Sequence, residues 1–305
     1  MKNIVVTFHN VSNPIWFEST LNLISKFYKF GDMDLLNDVF EKEVKLKSTC
    51  FITFDDGEKS FYQVAYPILK RRKIPAAIFV SPKSILEEEN FWFQNLRLAK
   101  KEILLDVLEY QFSVSKLVLQ EYSLAALFKT FSIEKMNAIF SAYIKQDAVS
   151  LSIFQNINEI ELHDVLASNI ITIGAHTMNH PILQNETAEN SSYEIEESIN
   201  ELEKLMGCKI HYFAYPNGTY GLDYGNREID TLRSTSIKLA FSTDVGRVKF
   251  NDSPYKIKRI GLTTGSSLHV LAKLFLGNAW YFIKDNLSKK KSEKEQRFIL
   301  KEMFK

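Results

Sequence analysis

The sequence predicts an α/β fold, on three observations. Two short apolar runs, 50–54 and 169–175, each stop at a cluster of carboxylates or imidazoles, the character of buried strands whose C-terminal ends present polar groups. A third run, 4–8, ends in the same way at His9. Between the last two strand-like runs, residues 91–161 are rich in Leu, Ala, Lys and Glu, with apolar residues at helical intervals, as in 103–108 and 124–128.

In chain order, Ile4-Val5-Val6-Thr7-Phe8 is a strand with His9 at its tip, and Cys50-Phe51-Ile52-Thr53-Phe54 is a strand leading into Asp55-Asp56-Gly57. Neighbouring strand residues face opposite sides, so two adjacent carboxylates share one site only if the strand ends there and the chain turns. Gly57 is expected to supply that turn. Residues 91–161 read as a helical insertion, placed either to cover the substrate cleft or only to pack. Phe91, Trp92 and Phe93 either line that cleft or anchor the insertion. Residues 169–175 form the strand that delivers His176 and His180. Pro181 disfavours helical torsions at His180, so a single turn or a helix end is expected there. His163, His211 and His269 have no partner at motif spacing and read as structural.

The C-terminal part changes character. The apolar stretch 268–287 is broken by His269, Lys273 and Asn278, which argues against a membrane span, and Lys289-Lys290-Lys291 follows it. Two readings stand: a basic amphipathic helix docked on anionic lipid, or a helix packed across the fold with a solvated tail.

Composition fits one sizeable globular unit: 305 residues, 45% hydrophobic and 25% charged. A net charge of +1 carries no signature of nucleic-acid binding. The two cysteines, Cys50 and Cys208, offer no disulfide framework. The run 1–6 is too short for a secretory apolar region. The expectation is therefore a cytoplasmic protein, with peripheral contact at the inner face of the membrane if the C-terminal tail docks on lipid.

The chemistry follows from the residue types. One carboxylate and two neutral imidazoles leave a divalent cation with open positions for water and substrate, while a neighbouring carboxylate takes the water's proton. Asp56, His176 and His180 are the candidate ligands and Asp55 the candidate base. Zinc, cobalt, nickel and iron all suit this set. An Asp-Asp-Gly alone is a common turn, and a His-x-x-x-His alone arises by chance on solvated faces. Their joint placement after two apolar strands points to a metal-dependent hydrolase.

Thr53-Phe54-Asp55-Asp56-Gly57 and His176-Thr177-Met178-Asn179-His180 resemble the first and second motifs of the polysaccharide deacetylases (carbohydrate esterase family 4, the NodB-homology domain). The resemblance extends to residues 60–81 and 212–220 and covers residues 1–265. It implies a distorted (β/α) barrel of the NodB-homology type with fewer than eight regular strands, interrupted by the helical insertion at 91–161 and followed by a helical, basic tail at 266–305. It implies Asp55 as general base, Asp56, His176 and His180 as ligands of one divalent metal ion, zinc first, and removal of an N-acetyl group from an amino sugar. The substrate would be an N-acetylated sugar, oligosaccharide, sugar nucleotide or lipid-linked sugar; for a cytoplasmic protein the precursors are favoured. A non-catalytic carbohydrate-binding protein of the same fold and an O-acetyl esterase are the alternatives.

The third motif departs from the family. Ala214-Tyr215-Pro216-Asn217-Gly218 lacks the arginine that in the family pairs with the base and keeps it ionised. Arg259 is expected to fill that role from a later strand; otherwise it is a solvated surface arginine. Asn217 holds the position whose backbone N–H would face the oxyanion, with Pro216 and Gly218 retaining the backbone constraint. Tyr215 and Tyr220 either face the sugar or pack in the core. The family's Asp-Trp and Leu-x-His motifs are not clearly present. His9 is therefore the candidate proton donor or substrate contact, at a place where relatives carry Tyr-His.

Overall fold

Eight strands form one parallel sheet: β1 (Ile4–Phe8), β2 (Lys29–Gly31), β3 (Thr49–Phe54), β4 (Ala76–Val80), β5 (Ile171–Ala175), β6 (Tyr212–Ala214), β7 (Leu239–Phe241) and β8 (Ile260–Gly261). These come from a computed structural model that describes residues 2–147, 151, 153–277, 279 and 293–304. The strand order is β7-β6-β5-β4-β3-β1-β8, with β2 beside the first half of β3. A parallel bridge between Phe241, ending β7, and Ile257, just before β8, joins the two edges. The result is the expected distorted barrel. Its irregularity lies in β2, β6, β7 and β8, none longer than three residues.

Every residue of β1, β3 and β4 is buried, because both faces of the sheet are covered. That is why these strands read as continuous apolar runs. Val5, Phe51, Phe79, Leu239 and Phe241 point into the barrel. Their alternating neighbours Ile4, Val6, Phe8, Cys50, Ile52 and Phe54 pack beneath the surrounding helices. At the C-terminal ends of β1 and β3 the interior turns polar, with Thr7, Thr53 and Asp55 all buried.

The helices nearest the N-terminal half are α1 (Pro14–Ser25), α2 (Met33–Glu41), α3 (Tyr66–Arg72) and α4 (Pro82–Leu86). The insertion contributes α5 (Trp92–Leu98), α6 (Lys101–Phe112), α7 (Lys116–Leu119), α8 (Leu124–Phe128) and α9 (Ile133–Ile144). After it come α10 (Glu159–Ala167), α11 (Ala188–Met206), α12 (Asn226–Arg233), α13 (Ser267–Leu276) and α14 (Glu293–Met303). Side chains at helix starts hold the entries: Asn13, Asp32, Asn158, Thr187 and Ser266 each accept a backbone N–H, worth about 1 kcal/mol apiece.

The insertion has its own core, around Leu104, Leu108, Leu127, Phe128, Met136 and Tyr143. It returns to the barrel through an antiparallel bridge from Asn156 to Glu58, beside the Asp-Asp-Gly turn. Its extent differs from the expected 91–161. Leu162 and Val165 of α10 pack in the main core, so that helix belongs to the barrel. Within the expected tail at 266–305, α13 packs as a helix across the fold, and α14 docks by one face. Val270 and Leu274 of α13 join the main core, whereas Leu300 of α14 is buried in the insertion's core. Arg297 of α14 forms a buried ion pair with Asp223 at 2.7 Å. Burial of Leu300 and neutralisation of Asp223 hold one face of α14 to the body, while its other face is exposed. Lys289–Lys291 lie outside the described residues. Among the described residues no helix is long and apolar enough to cross a membrane.

Candidate active site

Strand β3 delivers Asp55 and Asp56 to the barrel mouth. Asp55 continues the inward alternation of Phe51 and Thr53. The turn then begins one residue before the expected Gly57: Asp56 itself is left-handed at φ 71°, and Gly57 follows at φ 67°. That reversal swings Asp56 back to the side of its neighbour. Three more non-glycine residues at the mouth share this rare conformation, Thr177, His180 and Asn217. Each costs on the order of 1–3 kcal/mol unless its surroundings impose it, and such strain gathers at functional sites.

Asp55 is closed by Arg259, which is fully buried. Nη1 donates to Oδ1 and Nη2 to Oδ2, both at 2.7 Å, the paired geometry a guanidinium makes with a carboxylate. The same guanidinium donates from Nε to the Ser242 carbonyl and from Nη1 to the hydroxyls of Thr7 and Thr53, so the barrel wall holds it on the side away from Asp55. Burial works against ionisation of Asp55, but the positive field of Arg259, then of His176 and His9, outweighs it and holds the carboxyl below its ordinary value. His9 is half-exposed at the tip of β1, its Nε2 3.7 Å from Asp55 Oδ2.

Asp56, His176 and His180 converge beside this pair, all buried. Asp56 Oδ1 lies 3.4 Å from His176 Nε2 and 3.1 Å from His180 Nε2. His176 Nδ1 lies 2.7 Å from the Ala214 carbonyl at the end of β6. Donation to that carbonyl places the ring proton on Nδ1 and turns the Nε2 lone pair toward Asp56. Burial lowers the pKa of His180, with Asp56 only partly opposing it, so the imidazole stays neutral.

These residues fit a divalent cation. Among the described residues, buried Asp56 Oδ1 and His180 Nδ1 find no hydrogen-bond partner. One oxygen and two nitrogens all lie within 4.8 Å of one another, a donor set common for zinc and its neighbours.

The loop after β6 forms a third side. Pro216 is buried, and Gly218 has φ 69°, where a Cβ would meet the Tyr215 carbonyl oxygen at 2.9 Å. Asn217 stands between them at φ 57°. Among the described residues its backbone N–H has no protein acceptor.

A sequence profile of the polysaccharide deacetylases matches residues 42–114 and 117–234, more than half of the chain. The chain belongs to the polysaccharide deacetylase family. The fold agrees: IcaB from Ammonifex degensii aligns with a TM-score of 0.61 at 18% identity, covering 89% of this chain and 96% of that one. The Streptococcus pyogenes deacetylase PplD, solved with acetate, aligns at 0.59 and 17% identity, covering 90% and 97%. A shorter likeness, 43% identity over 58 residues, links the chain to poly-β-1,6-N-acetyl-D-glucosamine N-deacetylase of Staphylococcus aureus. That stretch is 19% of each protein.

Some expected site residues lie elsewhere. Tyr215 does not face a sugar: it is fully buried, stacked on Tyr224 at 3.6 Å, and its hydroxyl donates to the Tyr255 carbonyl. The alternation along β6 sends it outward into the helix layer. Tyr220 is partly exposed, but Lys256 Nζ sits over its ring at 3.8 Å and its hydroxyl donates to Asn226. Trp92 anchors the insertion, donating from Nε1 to the His180 carbonyl and stacking on Phe128, and with Phe91, Met178 and Asn179 it also borders a pocket. Phe91 and Phe93 pack on the His180 ring at 5.2 and 4.8 Å. Sequence reasoning missed Glu58, whose buried carboxylate accepts from Asn10 and from Arg97 of α5. It also missed Glu194 of α11. The signal for Glu194 was present: it falls in the buried stripe Ser191, Glu194, Ile195, Ser198, Ile199, Leu202, where a charge is out of place.

Proposed function

We propose that this chain is a metal-dependent N-deacetylase that acts on an N-acetylated amino sugar of a glycan or glycan precursor. The observation that carries the proposal is the pairing at the tip of β3: a carboxylate locked by a buried arginine, beside a carboxylate oxygen and two imidazole nitrogens that all lie within 4.8 Å of one another. Family membership supplies the deacetylation chemistry, and the short likeness to a poly-β-1,6-N-acetyl-D-glucosamine N-deacetylase supports an acetamido sugar.

A divalent cation held by Asp56, His176 and His180, zinc first and cobalt, nickel or iron next, would polarise the acetyl carbonyl and acidify a water. Asp55 takes the proton of the attacking water. Arg259 keeps that carboxylate charged and fixes its plane, so no rearrangement is needed when the proton arrives. The Asn217 N–H donates to the oxyanion as the carbonyl carbon becomes tetrahedral. His9, close to Asp55 and open to solvent, passes a proton to the leaving amine.

The test is acetate release from β-1,6-linked N-acetylglucosamine oligosaccharides, N-acetylated sugar nucleotides and lipid-linked sugars, with zinc- or cobalt-loaded protein. Release that fails after Asp55→Asn, while the cation still binds, is the expected result. No release from any acetamido sugar by the loaded, unmodified protein would sink the proposal; release from an O-acetyl ester alone would redirect it to esterase chemistry.

A further inference from the structure

The segment that carries both histidines has no regular secondary structure between β5 and α11 except one 3-10 turn at Leu183–Asn185. Two of its residues, Thr177 and His180, are left-handed. Something outside the segment must impose that shape. Part of it is local: the Thr177 hydroxyl donates to the His176 carbonyl and accepts from the His180 N–H.

The rest comes from Glu194, in the second turn of α11. Its Oε2 accepts the backbone N–H of Met178 at 3.0 Å and of Asn179 at 2.8 Å. Its Oε1 accepts Nδ2 of Asn179 at 2.6 Å, and its own backbone carbonyl accepts the Met178 N–H at 3.1 Å. The carboxylate is buried. It thus holds the middle of the His176–His180 loop at two successive peptide groups, and its negative charge faces the loop that presents the ligand set.

We propose that Glu194 is a positioning residue for the cation site: it imposes the left-handed loop that brings His176 and His180 together, so that cation affinity depends on it although it touches no ligand. The inference rests on the reading of Asp56, His176 and His180 as ligands. Its neighbour Ile195 faces the main core, which fixes α11 and gives Glu194 a rigid base. A flexible surface acid would not transmit position in this way.

Glu194→Gln separates shape from charge. The amide oxygen still accepts the Met178 and Asn179 N–H groups, and its NH₂ meets Asn179 once that side chain turns to present its own oxygen. Glu194→Ala removes both effects.

The experiment measures Zn²⁺ affinity by competition with a chromophoric chelator, the visible spectrum of the Co²⁺-loaded protein, and the melting temperature of the cation-free protein. Expected for Glu194→Ala is an affinity loss of roughly 10–100-fold, the range for second-layer groups at metal sites, with a changed Co²⁺ spectrum. Glu194→Gln restores most of that loss. If Glu194→Ala does not fold, Glu194→Asp, whose carboxylate is one methylene short of the loop, gives the same reading. Zn²⁺ bound as tightly by the Ala or Asp variant as by the unmodified chain would overturn the inference. So would a Gln variant as weak as Ala. If the unmodified protein binds no Zn²⁺, the metal-site reading itself falls and takes the inference with it.

Discussion

Two carboxylates one residue apart, Asp55 and Asp56, occupy contrasting surroundings. Both oxygens of Asp55 are taken by Arg259, which is braced by Thr7, Thr53 and Ser242 from the barrel wall. Asp56 receives no N–H or O–H on Oδ1 from the described residues and faces two imidazoles. Its companions are braced from outside the barrel, by Trp92, Phe91 and Phe93 of the insertion and Glu194 of α11. The barrel thus closes Asp55, whereas the peripheral helices hold the His176–His180 loop beside Asp56. A buried charge that is fully paired keeps its ionisation; one facing lone pairs calls for a cation.

The largest effect expected from breaking this contrast is on turnover. Asp55→Asn keeps the shape but removes the proton acceptor, and acetate release should fall roughly 10²–10⁴-fold while calorimetric Zn²⁺ binding persists. Loss of binding along with activity would mean that the two carboxylates are not separable.

Arg259→Gln comes next, and reads in stability. Removing one partner of a buried pair strands the other, at a cost of about 3–5 kcal/mol in denaturant unfolding. The sign with pH is set by the shift at Asp55. In the unmodified protein its folded pKa lies below the ordinary 3.8, so the pair's stabilisation is complete above that value and is lost as pH falls through the folded one. Without the guanidinium, burial raises the pKa, and the penalty is absent in acid and grows as pH rises. The stability gap between the two proteins should therefore widen from acid to neutral pH, and the acid limb of kcat/KM should move upward. An unmoved limb would remove Asp55 from the rate-limiting ionisation.

Trp92→Phe tests the other side. It deletes the hydrogen bond to the His180 carbonyl and should cost roughly 1–2 kcal/mol, with weaker Zn²⁺ binding but an unchanged acid limb. A shifted limb would show that the two sides are coupled. Tyr215→Phe is the smallest change, about 1 kcal/mol of stability from the lost bond to Tyr255, with KM unaltered. A raised KM would return Tyr215 to the substrate.

Much of this arrangement was legible in the chain. The strands β1, β3 and β5 announced themselves because burial on both faces demands unbroken apolar runs, and the polar residues at their ends are those that meet at the mouth. The insertion was visible through its helical spacing, though not its end near Asn156, since α10 has the same periodicity and differs only in what it packs against. Tyr215 was ambiguous because its direction depends on the pleat of a three-residue strand. The docking of α14 was hidden because its partners, Asp223 and the insertion's core, are far away in sequence.

The sequence by itself determined the family, the parallel α/β architecture and the identity of the clustered acids and imidazoles, because these are local patterns of residue type and spacing. Only the tertiary structure decided which arginine meets Asp55, which way Asp56 turns, and what holds His176 and His180. Those facts depend on contacts such as Arg259 to Asp55, 204 positions apart in the chain, whose partners and distances are fixed by how the sheet closes and leave no trace in the order of residues.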